Sequence, residues 1–253
     1  SVVLAPLYDP NKLAEDAAVT QLATNGRLLL GIGGGYRPSE FETFGRKLED
    51  RWRAVGETIA LLRLAWTGEP FEWQGRHCWV TPRPDPAPPI LLGGGSAAAA
   101  RRAARIADGW FPPLEPKLWP PYRDECLKLG KPDPGEYPNQ GPVFRWVSKE
   151  PEKDWERLLP HVLHQLRSYT EWTIEAYGRP SGPYAKQMTA ETVRQSPAYR
   201  VLTPEQALAL AEQLGSHSVL YLNPLLAGIA PAAARLMLDL YEREVHPYLA
   251  RRA

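Results

Sequence analysis

An α/β protein built on a parallel sheet is the fold class that the sequence predicts, on three observations. Short apolar runs alternate with helix-length runs along the whole chain, the pattern of repeated βα units. Two glycine clusters, Gly31-Ile32-Gly33-Gly34-Gly35 and Gly93-Gly94-Gly95, stand where such strands end, which is where α/β folds place their ligands. The length of 253 residues suits one large domain, of the size a (β/α)8 barrel takes.

Taken in order, residues 1–5 are an apolar run that breaks at Pro6. Asp9-Pro10 then supplies an N-cap and a first-turn proline for a helix that ends near Asn25-Gly26. Arg27-Leu-Leu-Leu-Gly-Ile-Gly33 reads as a buried strand stopped by its glycines. Residues 51–66 form an amphipathic helix with Trp52, Val55, Ile59, Leu62 and Trp66 on one face. Residues 71–80, with Gln74-Gly75 in the middle, read as a small hairpin. Pro89-Ile-Leu-Leu-Gly93 is a short strand, Ser96 caps a helix over 97–107, and Gly109-Trp110-Phe111 opens the next strand.

Further along, 142–147 is a strand and 152–177 a long helix rich in aromatics. Thr203-Pro204-Glu205-Gln206 is a capping box opening a helix that stops at Gly215. Residues 218–222 then give a sixth strand and 231–249 a terminal helix.

Composition narrows the function classes. Thirty Lys+Arg balance 29 Asp+Glu without long runs of one sign, which speaks against nucleic acid or an anionic membrane as the main partner. No stretch approaches the ~18 apolar residues of a membrane span. Cys78 and Cys126 are too few for a disulfide framework or a cysteine-rich zinc site. Fourteen of the 27 prolines fall between Pro82 and Pro142, interrupted by apolar and helix-like runs. They are expected in connections around the strands at Ile90 and Trp110, stiffening loops beside a ligand site, and not at a domain boundary.

Chemistry-bearing motifs are sparse. In the second cluster, small residues let the backbone approach a ligand while the helix starting at Ser96 offers unpaired N–H groups and a positive dipole end, a fit for phosphate. The same glycines would also make only a tight turn, with Ser96 only a cap. Neither cluster is followed by Gly-Lys-Ser/Thr or has GxGxxG spacing. His161 and His164 share a helix face but lack a carboxylate pattern for a metal, so surface histidines are expected and no metal. His77 and Cys78, adjacent in a hairpin, would face opposite ways.

Asp9-Pro10 to Gly26-Arg27, Leu30-Gly31-Ile32-Gly33-Gly34-Gly35-Tyr36-Arg37, Glu40-Phe41, Phe44-Gly45 and Arg51 together resemble the bacterial luciferase-like monooxygenase family. The likeness runs on through Leu64-Ala65-Trp66-Thr67-Gly68-Glu69-Pro70, Pro88 to Gly94 and Ala107-Asp108-Gly109-Trp110, and reaches Leu222-Asn223-Pro224, Gly228-Ile229, Tyr241 and Val245-His246-Pro247. It implies a TIM (β/α)8 barrel that binds reduced FMN, or the deazaflavin F420, at the C-terminal ends of its strands. Gly94, Gly95 and Ser96 would contact the cofactor phosphate, Gly33, Gly34 and Gly35 would lie beside the cofactor, and Trp110 would border the pocket or be plain core. Trp119, Trp146 and Trp172 are further candidates for an apolar wall.

Two departures carry consequences. Luciferase has an arginine thought to reach the flavin phosphate where this chain has Gly34, so Arg37 or Ser96 would have to compensate. Family members also have two βα units, about 70 to 90 residues, before the strand that Ser1 enters, and six strands do not close an eight-strand barrel. The expectation is therefore an N-terminally incomplete luciferase-like barrel domain over 1–253, with catalytic residues on the preceding strands.

The activity implied is a monooxygenase using reduced FMN and O2 on a small, apolar organic substrate, served by a separate flavin reductase, cytoplasmic and homodimeric. The alternatives are an F420-dependent oxidoreductase without O2 and a non-catalytic flavin-binding protein.

Overall fold

The computed structural model describes residues 2–111, 113, 115–186, 188–215, 218 and 220–250. The chain divides into two compact units, Ser1–Tyr137 and Pro138–Ala253. The division falls inside the proline cluster at 132–142, so that cluster connects two units as well as two strands.

The first unit carries a four-stranded parallel sheet of β1 (Val3–Leu4), β2 (Leu30–Gly33), β5 (Ile90–Leu92) and β6 (Gly109–Trp110), neighbours in that order. Register is set by Val3 opposite Ile32, Ile32 opposite Leu92, and Leu92 opposite Trp110. All four residues of β2 are buried, as a strand covered on both faces must be. Helix α1 (Pro10–Ala23) starts where expected, the Asp9 carboxylate accepting from the Asn11 and Lys12 N–H groups. It buries Leu13, Ala14, Ala17, Ala18 and Gln21, and the Gln21 amide bonds the Pro86 carbonyl and the Leu28 N–H.

A short α2 (Pro38–Thr43) leads to α3 (Arg51–Ala65), which buries Val55, Ile59 and Leu62, the face read from the sequence. Trp66, just beyond, donates its indole N–H to the Ala14 carbonyl and locks α3 to α1. The hairpin β3 (Phe71–Trp73) and β4 (Arg76–Cys78) turns through Gln74 at φ 49° and Gly75 at φ 73°, both left-handed as a two-residue primed turn requires.

Helix α4 (Ala97–Ile106) presses Ala99, Ala100, Ala103 and Ala104 inward, and α5 (Trp119–Lys128) packs on it. Asp108 pins the sheet from the strand N-terminal side, accepting from the Ile90 N–H and from Arg63, both at 2.9 Å. The 82–89 prolines enter β5 at that end, so they stiffen the side opposite Gly93 and not the glycine loops.

The second unit pairs β7 (Phe144–Val147) with β8 (Tyr199–Leu202) in parallel, Phe144 opposite Tyr199 and Arg145 opposite Arg200. The crossover is α6 (Pro151–Tyr177), closed by Gly178 at φ 70°, followed by α7 (Ala190–Gln195). After β8 come α8 (Pro204–Leu214), opened by the Thr203/Gln206 capping box, α9 (Pro231–Glu244) and α10 (His246–Ala250).

Two expectations are corrected here. The sixth strand is 199–202; of 218–222, the described residues 218 and 220–222 form no strand, and Val219 lies outside them. The Arg145 N–H, on the edge of β7 away from β8, is met by the Asn223 side chain at 3.3 Å instead of a neighbouring strand. The terminal helix breaks at Val245, φ −120° and ψ −54°, because Pro247 has no N–H to continue the ladder.

Candidate functional site

The glycine loops lie side by side because their strands do. The Gly93 N–H donates to the Ile32 carbonyl at 2.7 Å, extending the β2–β5 ladder to the point where both chains leave the sheet. A Cβ on Gly33 would press on Val2 and one on Gly35 on Phe41. A Cβ on Gly34 would lie 2.8 Å from the Trp52 ring, and one on Gly94, at φ 154°, would lie 2.5 Å from the Ala99 Cβ. Both glycines are thus required by close packing. Gly95 differs, since nothing lies within 4 Å of where its side chain would be.

Ser96 is the N-cap of α4, its hydroxyl accepting from the Ala99 N–H at 3.1 Å. The cap leaves the Ala97 and Ala98 N–H groups at the first turn, where a helix has no carbonyls to pair them. The dipole end there contributes ~0.3–1 kcal/mol toward an anion, and a phosphate needs more than that to be held in water.

Trp52 supplies the rest of the arrangement. The Arg102 Cζ stands 4.0 Å from the Trp52 ring centroid and that of Arg51 5.5 Å from it. Arg102 comes from the sixth position of α4 and Arg51 from the first of α3. Burial and the neighbouring Arg51 charge push the Arg102 guanidinium below its ordinary value. No ion pair to a carboxylate is seen for either arginine among the described residues; the Arg51 Nη1 donates to the Leu48 carbonyl at 2.9 Å, and its buried Nε donates to nothing. Like charges set together, with the Arg51 Nε left without an acceptor, are costly without an anion, so the residues present fit a phosphate group.

Sequence reading missed both as a pair. Arg51 stands in the sequence only among the residues that resemble the family, and Arg102 is one of three arginines on an alanine-rich helix with nothing local to single it out. The compensating residues expected from the family are otherwise engaged. Arg37 bonds Ser39 and faces Glu40 at 3.7 Å, and Ser96 caps its helix.

Trp110, 3% exposed, belongs to the first unit's core, stacked on Trp119 with centroids 6.1 Å apart and tilted against Tyr122. Its indole Nε1 is buried without an acceptor. Burial pushes the Tyr122 phenol far up, which removes it as an acid or base near neutrality. In the second unit Trp146 is buried and donates to Asp154 at 3.2 Å, while Trp172 packs edge-on to Tyr169.

The remaining candidates do not assemble. His161 bonds the Ala227 carbonyl at 2.9 Å and His164 is exposed. His77 bonds Glu72 across the hairpin, away from Cys78. Among the described residues no three His, Cys, Asp or Glu side chains group to hold a metal, and no helix is long and apolar enough to cross a membrane.

Adjacent strands of a parallel sheet thus release two glycine loops, one of them leading into the N-terminus of α4, in an α/β protein whose ligands are expected at such strand ends. Residues 1–119 match the model of the luciferase-like monooxygenase family. It is 30% identical over 118 residues to the F420-dependent glucose-6-phosphate dehydrogenase of Amycolatopsis mediterranei, covering 43% of this chain and 35% of that protein. It is 36% identical over 92 residues to the oxygenase component of the flavin-dependent trigonelline monooxygenase of Acinetobacter baylyi, covering 35% and 25%. Matches with curated relatives such as the first span about a third of their length.

Among solved structures, the oxygenating constituent of 3,6-diketocamphane monooxygenase from Pseudomonas putida, determined with FMN, superposes with a TM-score of 0.64. It shows 19% identity and covers 97% of this chain and 78% of that one. The α/β fold is therefore that of luciferase-like TIM-barrel structures.

Proposed function

We propose that this protein is a luciferase-like oxidoreductase that takes reduced FMN and O2 and oxidises a small, apolar organic molecule. The observation that carries the reading is the Arg102–Trp52–Arg51 group, two guanidiniums on a ring that packs against Gly34 of the first glycine loop, one of them carried by the helix that the second loop opens. Reduced FMN, when bound, supplies the electrons for O2 chemistry.

The chain's own contribution is placement and dryness. Gly94 and Gly95, with the first-turn N–H groups behind Ser96 and the Arg102 guanidinium, hold the phosphate. A charge-assisted hydrogen bond contributes ~1.5–3 kcal/mol, so the arginine outweighs the helix end. Gly33, Gly34 and Gly35, packed closely on Val2, Trp52 and Phe41, let the bare backbone after β2 run beside the cofactor. Trp110 excludes water behind the loops and offers its unused indole N–H to an acceptor.

A separate reductase would deliver the reduced flavin, a reading supported by the relative named as an oxygenase component. We take the active form to be a homodimer, to be checked by sedimentation.

F420 in place of FMN is the second reading, favoured by the match to an F420-dependent dehydrogenase. Its phosphate would use the same arginines, and hydride transfer would proceed without O2. A third reading is a flavin-binding protein without turnover.

Anaerobic titration of intrinsic tryptophan fluorescence with reduced FMN, riboflavin and reduced F420 separates these. Tighter binding of FMN than of riboflavin, lost in Arg102→Met, is expected. Equal affinity for FMN and riboflavin overturns the phosphate site, and binding of F420 alone selects the second reading. FMN binding without O2 uptake in the presence of candidate substrates selects the third.

A further inference from the structure

Arg145 is the one fully buried arginine of the second unit among the described residues, 2% exposed in the middle of the short strand β7. Its Nε and Nη1 have no hydrogen-bond partner, although its backbone N–H is satisfied by Asn223. The guanidinium faces the Tyr221 ring, its Cζ 5.9 Å from the centroid. Gly141 lies against the same group, since a Cβ there would sit 3.6 Å from Nη1. Burial pushes Arg145 down to about 10, opposed only by the Tyr221 phenol, with no Asp or Glu acting on it.

A buried cation normally has a carboxylate within reach, because removing it from water costs several kcal/mol that only an opposite charge offsets. Here the strand register presents Arg200 as the cross-strand neighbour, so no acid comes from β8 at that level. Hydrogen-bond donors left open on a fixed, planar guanidinium suit an oxyanion supplied from outside the chain. Charge then decides the class. One buried guanidinium, its cross-strand neighbour Arg200 being exposed to water, neutralises a single negative charge, whereas a phosphate dianion would leave one charge buried and unpaired.

We propose that Arg145 is the recognition residue of a second binding site, which takes the carboxylate of a small organic molecule with its body against Tyr221. The site is independent of the cofactor reading, since it stands on residues of the second unit alone.

Benzoate is a suitable probe, with benzamide as the neutral isostere and inorganic phosphate as the dianion, tested on the full 253-residue chain at constant ionic strength. Calorimetry is expected to show saturable benzoate binding, and the Arg145 Nε–H proton resonance to move with it. Benzamide and phosphate should bind about tenfold more weakly or worse.

Arg145→Met should abolish the benzoate response while leaving the uncomplexed chain at least as heat-stable as the parent, because a buried unpaired charge is removed. Arg145→Lys should keep a weakened response. Should Arg145→Met not fold, the parent's discrimination between benzoate and benzamide still decides. Absence of benzoate binding, equal binding of benzamide, or preference for phosphate overturns the proposal.

Discussion

The indole of Trp52 fills the space that a side chain on Gly34 would take, a Cβ there lying 2.8 Å from its Cζ3. The position at which luciferase is thought to carry a phosphate-binding arginine is in this chain closed by a tryptophan, and that tryptophan carries Arg102 on its ring. The two guanidiniums on that ring come from α4 and α3.

Gly34→Ala should accordingly cost ~1–3 kcal/mol through overpacking, read as a lower thermal midpoint. In a Trp52→Leu background the same change should cost at least ~1 kcal/mol less. Equal costs in the two backgrounds would show that the contact is not the reason for glycine.

Removing Arg102 should separate binding from stability. With no acid to lose, Arg102→Met should leave the uncomplexed melting temperature within a few degrees of the parent, giving up only ~0.5–2 kcal/mol of stacking on Trp52. It should abolish the stabilisation by millimolar phosphate, and that stabilisation in the parent should weaken with added salt.

Gly94 is held by the approach of α4. Gly94→Ala sets two Cβ atoms 2.5 Å apart on a backbone at φ 154°, so the helix must shift. Destabilisation above ~2 kcal/mol is expected, with partial recovery in Gly94→Ala/Ala99→Gly, which relieves the clash but not the backbone strain. Thermal melts of the three variants decide it.

Asp9 supplies a pH test. Burial raises its carboxyl, but hydrogen bonds from the Lys12 and Asn11 N–H groups and the Arg76 charge outweigh burial and hold it below its ordinary 3.8. A depressed folded value means that its contribution is present above the unfolded value and lost as pH falls through the folded one. Asp9→Ala should therefore cost ~1 kcal/mol at pH 7, and the difference from the parent should shrink steadily below pH ~4. Urea unfolding across that range is the measurement.

Ala227 is left-handed at φ 44° and ψ 46°, a conformation that costs a residue with a Cβ. Ala227→Gly should stabilise the chain by ~0.5–1 kcal/mol, without disturbing the carbonyl that His161 bonds. A lower urea midpoint would count against this.

Most elements were legible because their signals are local. The Asp9-Pro10 start, the Gln74-Gly75 turn, the Ser96 cap and the Thr203/Gln206 box each lie within a few residues of what they fix, and each stands where its residues place it. The strand at 199–202 was missed because four residues between Pro197 and Pro204 carry little periodicity, and only pairing with β7 makes them a strand. The run at 218–222 carries the better pattern, yet its described residues pair with no strand.

The candidate site divides in the same way. By itself the sequence determined the glycine loops, the strands that end in them and the helix that begins behind them, because glycine spacing and capping act over a few residues. Only the tertiary structure decided that Trp52 stands against Gly34, that Arg102 and Arg51 meet on its ring, and that Arg145 is buried without an acid. Those are relations between side chains on separate elements. Packing and electrostatics act through space, and no spacing along the chain encodes which charges are left uncompensated once the elements close on one another.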